Sequence, residues 1–93
     1  MKVKFFAYIR DKEYAGCKET IVDGCEDLRQ LGNKLSEMYG ERFRTLYYSP
    51  DGTAFGDDII VLVNGRRAEF LEGLDTRLKE EDTVLLFPVV AGG

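Results

Sequence analysis

Histidine and tryptophan are absent from this sequence of 93 residues, and cysteine and proline occur only twice each. Without histidine, the chain cannot form the Ser-His or Cys-His pairs that activate a nucleophile, and it has no imidazole to bind zinc. These absences argue against a hydrolase or metalloenzyme that works by itself. We therefore expect no metal site and no intrinsic cofactor.

The two cysteines, Cys17 and Cys25, match neither the CxxC motif nor a zinc-ligand spacing. A disulfide or redox pair is one interpretation of them. Free thiols are the interpretation that we favour, because a domain of this length can bury a core without a covalent bridge.

The sequence also lacks a long apolar run and an excess of basic residues. No run approaches the roughly 20 residues that cross a membrane, and the first residues lack the features of a signal peptide. Acidic residues outnumber Lys and Arg by 17 to 13, which gives a net charge of −4, whereas nucleic-acid-binding surfaces are normally basic. We therefore expect one cytoplasmic domain over residues 1–93 that binds neither nucleic acid nor membrane.

Two strand patterns open the chain. Residues 2–9 alternate, so that Val3 and Phe6 fall on opposite faces of a strand. A charged turn over 10–17 leads to a second short strand at 18–23. The two strands predict an N-terminal hairpin.

A helix follows the hairpin. Asp27 is placed to cap its first turn, and Gln30 three residues later completes a capping-box pattern. Gly40 is a natural end, and Gly32, which costs helix stability, is expected where the helix approaches the sheet closely. One apolar stripe is predicted to face the core, and it consists of Leu28, Leu31, Leu35 and Met38.

The second half of the chain has one irregular segment and one hairpin. Residues 41–58 carry aromatic side chains but no regular pattern. An apolar strand at 59–63 is followed by Asn64-Gly65, a strong hairpin signal, and by a returning strand at 66–68. Residues 79–82 are predicted to form a solvated charged turn.

This order of elements predicts the fold class. A hairpin, a crossing helix, a second hairpin and a last strand form an α+β sheet with a helix on one face. We expect a β-grasp, or ubiquitin-like, domain with a mixed sheet of four to five strands and one main helix. The first and last long strands are expected to lie side by side in its middle.

The last dozen residues are the most distinctive segment. An apolar strand at 84–87 is followed by Pro88, which we expect to end it, and the sequence then tapers to Gly92 and Gly93. Glycine permits close approach of the backbone, so this narrow tail could enter the active site of a partner and present a carboxylate there. We interpret the carboxylate of Gly93 as the functional group. Residues 89–93 are expected to form an exposed tail that is mobile beyond about Val90.

Three segments carry a resemblance that extends along essentially the whole chain: Val63-Asn-Gly-Arg66, Leu74-Asp-Thr-Arg-Leu-Lys79 and Asp82 to Gly93. Through them the sequence resembles sulfur-carrier proteins of the MoaD/ThiS type, and most closely the small subunits of molybdopterin synthases. It departs from them at Val89, where a second proline is more frequent. It also departs at residues 41–58, which are longer than in the shortest members.

The resemblance implies a mechanism. An ATP-dependent adenylyltransferase of the ubiquitin-activating type would adenylate Gly93, and sulfur from a persulfide would replace AMP to leave a thiocarboxylate. A sulfur-acceptor enzyme, such as the large subunit of molybdopterin synthase, would receive Val90, Ala91 and Gly92 in its pocket. The sulfur would then pass to a pterin precursor. The carrier would not be catalytic by itself.

Docking to such partners needs a surface. Alternation along the strands turns Leu85 and Phe87 away from the helix, and the same holds for Ile60 and Leu62. The predicted partner-binding residues are Phe6, Ile60, Leu62, Leu85, Phe87 and Pro88. The alternative is that residues 41–58 fold over this face and bury it. Arg66 and Arg67 could dock an acidic rim, but a solvated hairpin is the interpretation of them that we favour.

Three other functions remain open at this point. The same activated terminus could supply sulfur for cysteine, thiamin or a tRNA base, or it could form isopeptide bonds as a ubiquitin-like protein modifier. A different class of function is a non-catalytic β-grasp binding module that never uses its terminus chemically.

Overall fold

The structure is a computed structural model that describes residues 1–7 and 16–89, with the side chains of 6, 7 and 16–18 excepted. The elements of this part of the chain are β1 (Lys2–Ala7), β2 (Gly16–Ile21), α1 (Leu28–Tyr39), α2 (Glu41–Tyr47), β3 (Ile59–Val63), β4 (Arg66–Arg67) and β5 (Thr83–Pro88). Two 3-10 turns, Ala68–Phe70 and Gly73–Asp75, lie between β4 and β5. The predicted turn at 10–17 falls largely outside the described residues.

The five strands form one mixed sheet in the order β2-β1-β5-β3-β4. The first and last strands pair in parallel, and all other pairs are antiparallel. The prediction that β1 and β5 lie side by side in the middle is therefore confirmed, as is the β-grasp fold. The Asn64-Gly65 hairpin is also confirmed, with positive φ at both turn residues.

Helix α1 begins where its capping residue predicts. The Asp27 carboxylate accepts a hydrogen bond from the N–H of Gln30 at 2.8 Å. The Gln30 side chain accepts one from the N–H of Glu26, whereas a capping box would place it on the N–H of Asp27. The apolar stripe is buried at Leu28, Leu31 and Leu35. Met38 is 51% exposed, so its placement in the core was wrong.

Residues 41–58 differ most from expectation. They begin with helix α2 and carry their aromatic rings to the helix side of the sheet. The ring of Phe43 lies 5.5 Å from that of Phe5 on β1, and Tyr47 lies 5.6 Å from Phe55. The alternative that this segment covers the opposite face of the sheet is therefore wrong.

The close approach at Gly32 is made by α2 and not by the sheet, contrary to the prediction. A Cβ atom at Gly32 would lie 2.6 Å from Cδ1 of Tyr47 and 2.5 Å from the hydroxyl of Tyr48. The Tyr47 hydroxyl donates to the carbonyl of Leu28 at 2.7 Å, and that of Tyr48 donates to the carbonyl of Arg29 at 2.8 Å. The missing side chain thus lets Tyr47 of α2 and Tyr48, the residue after it, donate hydrogen bonds to the backbone of α1.

Burial of Tyr47 predicts a loss of stability in alkali. Burial raises the pKa of Tyr47 well above its usual value, so only the unfolded chain loses this proton above about pH 10. The stability that depends on a protonated Tyr47 is therefore complete below that pH. It falls as the pH rises toward the pKa that Tyr47 has in the folded chain. We expect the free energy of unfolding, measured with urea, to fall less steeply between about pH 9 and 11 in Tyr47→Phe than in the wild type. Equal slopes would contradict this.

Candidate functional site

One row of side chains crosses all five strands on the face opposite the helices. The registers pair Glu19 with Lys4, Lys4 with Leu85, Leu85 with Leu62, and Leu62 with Arg67. The ion pair between Lys4 and Glu19, at 4.0 Å, places these two side chains on the same face. The centre of the row is apolar and both of its ends are charged.

A second apolar pair, Ile60 and Phe87, stands beside this row. In β3, buried Ile59, Val61 and Val63 alternate with half-buried Ile60 and Leu62. In β5, buried Val84 and Leu86 alternate with half-buried Leu85 and Phe87. We call Ile60, Leu62, Leu85 and Phe87 the outer strip. Its four members are cross-strand neighbours, as the sequence predicts, and a partly exposed apolar patch on a sheet face often marks an interface.

The two other predicted partner-binding residues have different positions. Phe6 belongs to β1 and pairs in register with Cys17, and its side chain lies outside the described ones. Pro88 is the last residue of β5, so the strand ends one residue later than expected. Its partner in β3 is the inward-facing Ile59, which places Pro88 at the end of the outer strip and not within it.

A buried carboxylate fixes the start of β5. Asp82 is buried, contrary to the prediction of a solvated turn, because it accepts the N–H of Lys79 and the side-chain amide of Asn64, both at 2.8 Å. The amide oxygen of Asn64 in turn accepts the N–H of Thr83 at 3.0 Å. This clamp sets the register of β5, and a slip of one residue would turn Leu85 and Phe87 toward the core.

At the other end, β5 leads directly into the tail. The N–H of Val89 donates to the carbonyl of Asp58 at 2.7 Å, so the sheet holds the chain up to this residue. The predicted functional residues Val90, Ala91, Gly92 and Gly93 follow, and they lie outside the described residues. The predicted mobility of the tail therefore stays a prediction.

Cations flank the outer strip on both sides. Lys4 stands beside Leu85 on one side, and Arg67 stands beside Leu62 on the other. Lys2 also forms an ion pair with Glu19, with 3.7 Å between its Nζ atom and a carboxylate oxygen. Sequence reasoning did not count Lys4 among the partner-binding residues, and for Arg67 it favoured a solvated hairpin over a docking role. The hairpin register could have located Arg67, because pairing about Asn64-Gly65 sets it opposite Leu62.

Cys25 is a free thiol. Burial raises its pKa, so it stays protonated near neutral pH, and protonated thiols are poor nucleophiles. The thiol of Cys17 lies outside the described side chains. Among residues 1–7 and 16–89, no group of cysteine and carboxylate side chains is arranged to hold a metal ion. In the same residues, none of the helices has the length and hydropathy to cross a membrane.

The sequence model of the ThiS family matches residues 3–93. The chain is similar to small archaeal modifier protein 1 (SAMP1) of Methanosarcina acetivorans, with 27% identity, a TM-score of 0.71, and coverage of 99% of this chain and 94% of that one. It is also similar to Urm1 of Trypanosoma brucei, with 26% identity, a TM-score of 0.69, and 99% and 93% coverage.

A third similar structure is a Pyrococcus furiosus protein assigned as subunit 1 of a molybdopterin converting factor. It has 27% identity, a TM-score of 0.57, and coverage of 96% of this chain and 98% of that one. The search of curated proteins found no match.

Proposed function

Because this chain belongs to the ThiS family of sulfur carriers and ubiquitin-like modifiers, we propose that it carries sulfur as a thiocarboxylate on Gly93. We further propose that the sulfur goes to a molybdopterin precursor. The observation that carries the proposal is the position of β5. This central strand supplies half of the outer strip and leads along the sequence into the Gly-Gly tail, so that a partner docked on the strip lies next to Val89, where the tail begins.

The proposed chemistry begins with activation. An adenylyltransferase of the ubiquitin-activating type joins a carboxylate oxygen of Gly93 to the α-phosphate of ATP, and pyrophosphate leaves. A persulfide sulfur then attacks the carbonyl carbon, AMP leaves, and reduction of the resulting acyl disulfide by a thiol releases the thiocarboxylate. Gly92 and Gly93 carry no Cβ, so the attacking sulfur reaches the carbonyl without a steric barrier.

The folded domain contributes recognition in this proposal. The outer strip offers apolar contact to the activating enzyme and to the sulfur acceptor in turn, while Lys4 and Arg67 face acidic groups of the partner. Charge complementarity of this kind raises association rates and excludes wrong partners. The catalytic side chains and the ATP site belong to the partners, and the whole sequence of steps takes place in the cytoplasm.

Two further proteins of the same fold were solved with partners. One is CysO in a BexX/CysO complex of Amycolatopsis orientalis, at 18% identity. The other is subunit 1 of the molybdopterin-converting factor of Helicobacter pylori in complex with subunit 2, at 22% identity. These identities show the fold alone. The choice of acceptor draws its support from the name of the P. furiosus protein, which is 27% identical to this chain.

The test is intact mass spectrometry of the untagged protein. The protein is incubated with ATP, a persulfide donor, a reducing thiol and the adenylyltransferase from the same cell. We expect the mass to rise by the exchange of one oxygen for sulfur, with the change located on Gly93 by fragmentation. An unchanged mass, with an adenylyltransferase that activates another carrier, would favour the non-catalytic binding module.

The second candidate is a protein modifier. The similarity to SAMP1 of M. acetivorans, a protein named as a modifier, favours it. Modification uses the same adenylate, but a lysine amine of the target attacks the carbonyl in place of sulfur. Conjugates of higher mass that contain this chain in cell extracts would distinguish this function from sulfur transfer.

A further inference from the structure

Phe70 is the most exposed large apolar side chain in the part of the chain that the structure describes. It is 76% exposed, and the adjacent Leu71 is 41% exposed. Both residues lie at the end of the 3-10 turn that follows β4. Single exposed apolar residues are ordinary, whereas adjacent ones that continue a larger apolar surface need an explanation.

Arg67 connects this pair to the outer strip. Its register position is opposite Leu62, within the row that crosses the sheet. Its guanidinium carbon lies 5.2 Å from the centre of the Phe70 ring, a cation–π distance. The apolar surface therefore runs from Leu85 through Leu62 and along Arg67 to Phe70, around the edge of the sheet that β4 forms.

The charges along this surface favour an acidic partner. The chain has a net charge of −4, yet its outer row carries Lys4 and Arg67 beside the apolar residues. Arg67 forms an ion pair with Glu69 of the 3-10 turn that follows β4. Lys4 forms one with Glu19 at 4.0 Å. All four side chains are substantially solvated, and exposed ion pairs contribute only about 0–1 kcal/mol. A partner carboxylate can therefore replace Glu69 on the guanidinium at little cost.

We propose that Phe70, Leu71 and Arg67 form a second anchor for the enzyme that activates the tail. The complementary surface is an apolar pocket that takes the Phe70 ring, with a carboxylate at its rim that binds Arg67. Aromatic and arginine side chains dominate binding energy at protein interfaces. The identity of the partner rests on the proposed function. The anchor itself rests on the exposure of Phe70 and Leu71, on their continuity with the outer strip, and on the charge of Arg67.

The anchor has a defined role in that reaction. Arg67 pairs with Leu62, which pairs on its other side with Leu85. Leu85 precedes Pro88 by three residues, which is about 10 Å along the strand. The anchor is therefore remote from the end of β5, where the tail begins. Binding energy from remote contacts can hold the reacting group in position, and here it would hold β5 while the tail enters the active site.

The experiment measures Kd by calorimetry for the adenylyltransferase from the same cell, and the release of pyrophosphate from ATP, which reports adenylate formation, is recorded in parallel. The variants are Phe70→Ser, Arg67→Gln and Leu62→Ala. Met38→Ser is the matched control, because Met38 is 51% exposed on α1, on the helix side of the sheet. We expect Phe70→Ser to raise Kd at least tenfold and Arg67→Gln several-fold, with Met38→Ser unchanged. A thermal melt of each variant confirms that it is folded.

The outcomes separate the anchor from the carrier function. Phe70→Ser binding as tightly as the wild type overturns the anchor, as does an equal weakening by Met38→Ser. Wild-type binding without adenylate formation would overturn the carrier function, and the Kd series would still decide the anchor. A wild type that does not bind the enzyme at all would overturn both.

Discussion

Deletion of Gly92 and Gly93 is expected to abolish thiocarboxylate formation and to leave the fold intact. The shortened chain would present the carboxylate of Ala91 up to about 7 Å from its proper place, since two extended residues span that distance. Misplacement of a reacting group by 1 Å can already cost about 100-fold in rate. We therefore expect no detectable sulfur exchange by mass spectrometry under conditions that convert the wild type fully.

Stability provides the control for this deletion. The last described backbone hydrogen bond is the one from Val89 to Asp58, so removal of two residues beyond Ala91 leaves the described sheet untouched. The free energy of unfolding should change by less than about 0.5 kcal/mol. Gly92→Val tests only the steric requirement for a narrow tail, because it keeps the length of the tail and adds a branched side chain. Full activity of the shortened chain in cells would show that the carboxylate of Gly93 is not the reacting group, whereas full activity of Gly92→Val would contradict only the steric explanation.

Gly32→Ala is expected to destabilise the fold strongly although it adds only one methyl group to α1. Alanine favours a helix over glycine by about 1 kcal/mol, so propensity alone predicts a gain. The added Cβ would instead lie 2.6 Å from Cδ1 of Tyr47, a fully buried ring. Overpacking costs about 1–3 kcal/mol and sometimes more, and the bond from Tyr47 to Leu28 prevents the ring from moving away. We expect a net loss of about 2 kcal/mol.

Thermal unfolding measures this loss, since about 1 kcal/mol shifts Tm by roughly 4–8 °C in a domain of this size. A fall of roughly 8–16 °C is expected. Glu37→Ala, at an exposed position of the same helix, is the control and should change stability by less than about 0.5 kcal/mol. In a Tyr47→Leu background, Gly32→Ala should cost much less, because the ring is gone. An undiminished cost in that background would contradict the steric explanation.

Local signals in the sequence predicted most of the sheet and the start of α1. Asp27, Asn64 and Gly65 each act on their own backbone, and their positions follow from capping and turn geometry alone. Alternation then assigned Leu62 and Leu85 to the outer face before any strand order was known. These residues could be predicted because the physical cause and its effect lie within a few residues of each other.

The errors arose where the cause lies far away in the sequence. Helix α2 has little apolar periodicity of its own, and it is stabilised by rings that meet Phe5 and the backbone of α1. The burial of Asp82 depends on Asn64, which is 18 residues distant. The contact of Arg67 with Phe70 depends on the turn that follows β4. Sequence patterns carry no direct record of such tertiary contacts.

The central place of β5 also determines how the chain can fold. The parallel partner of β5 is β1, so Lys2 must meet Thr83 before the sheet is complete. Closing such a long loop is slow, because its entropy is lost before the contacts form. Until then, β1 and β3 each have an open edge and expose Val3 and Val61, which the finished core buries. The strand that delivers the tail is thus also the one that seals the sheet, and a partner that recognises the outer strip selects molecules that have finished folding.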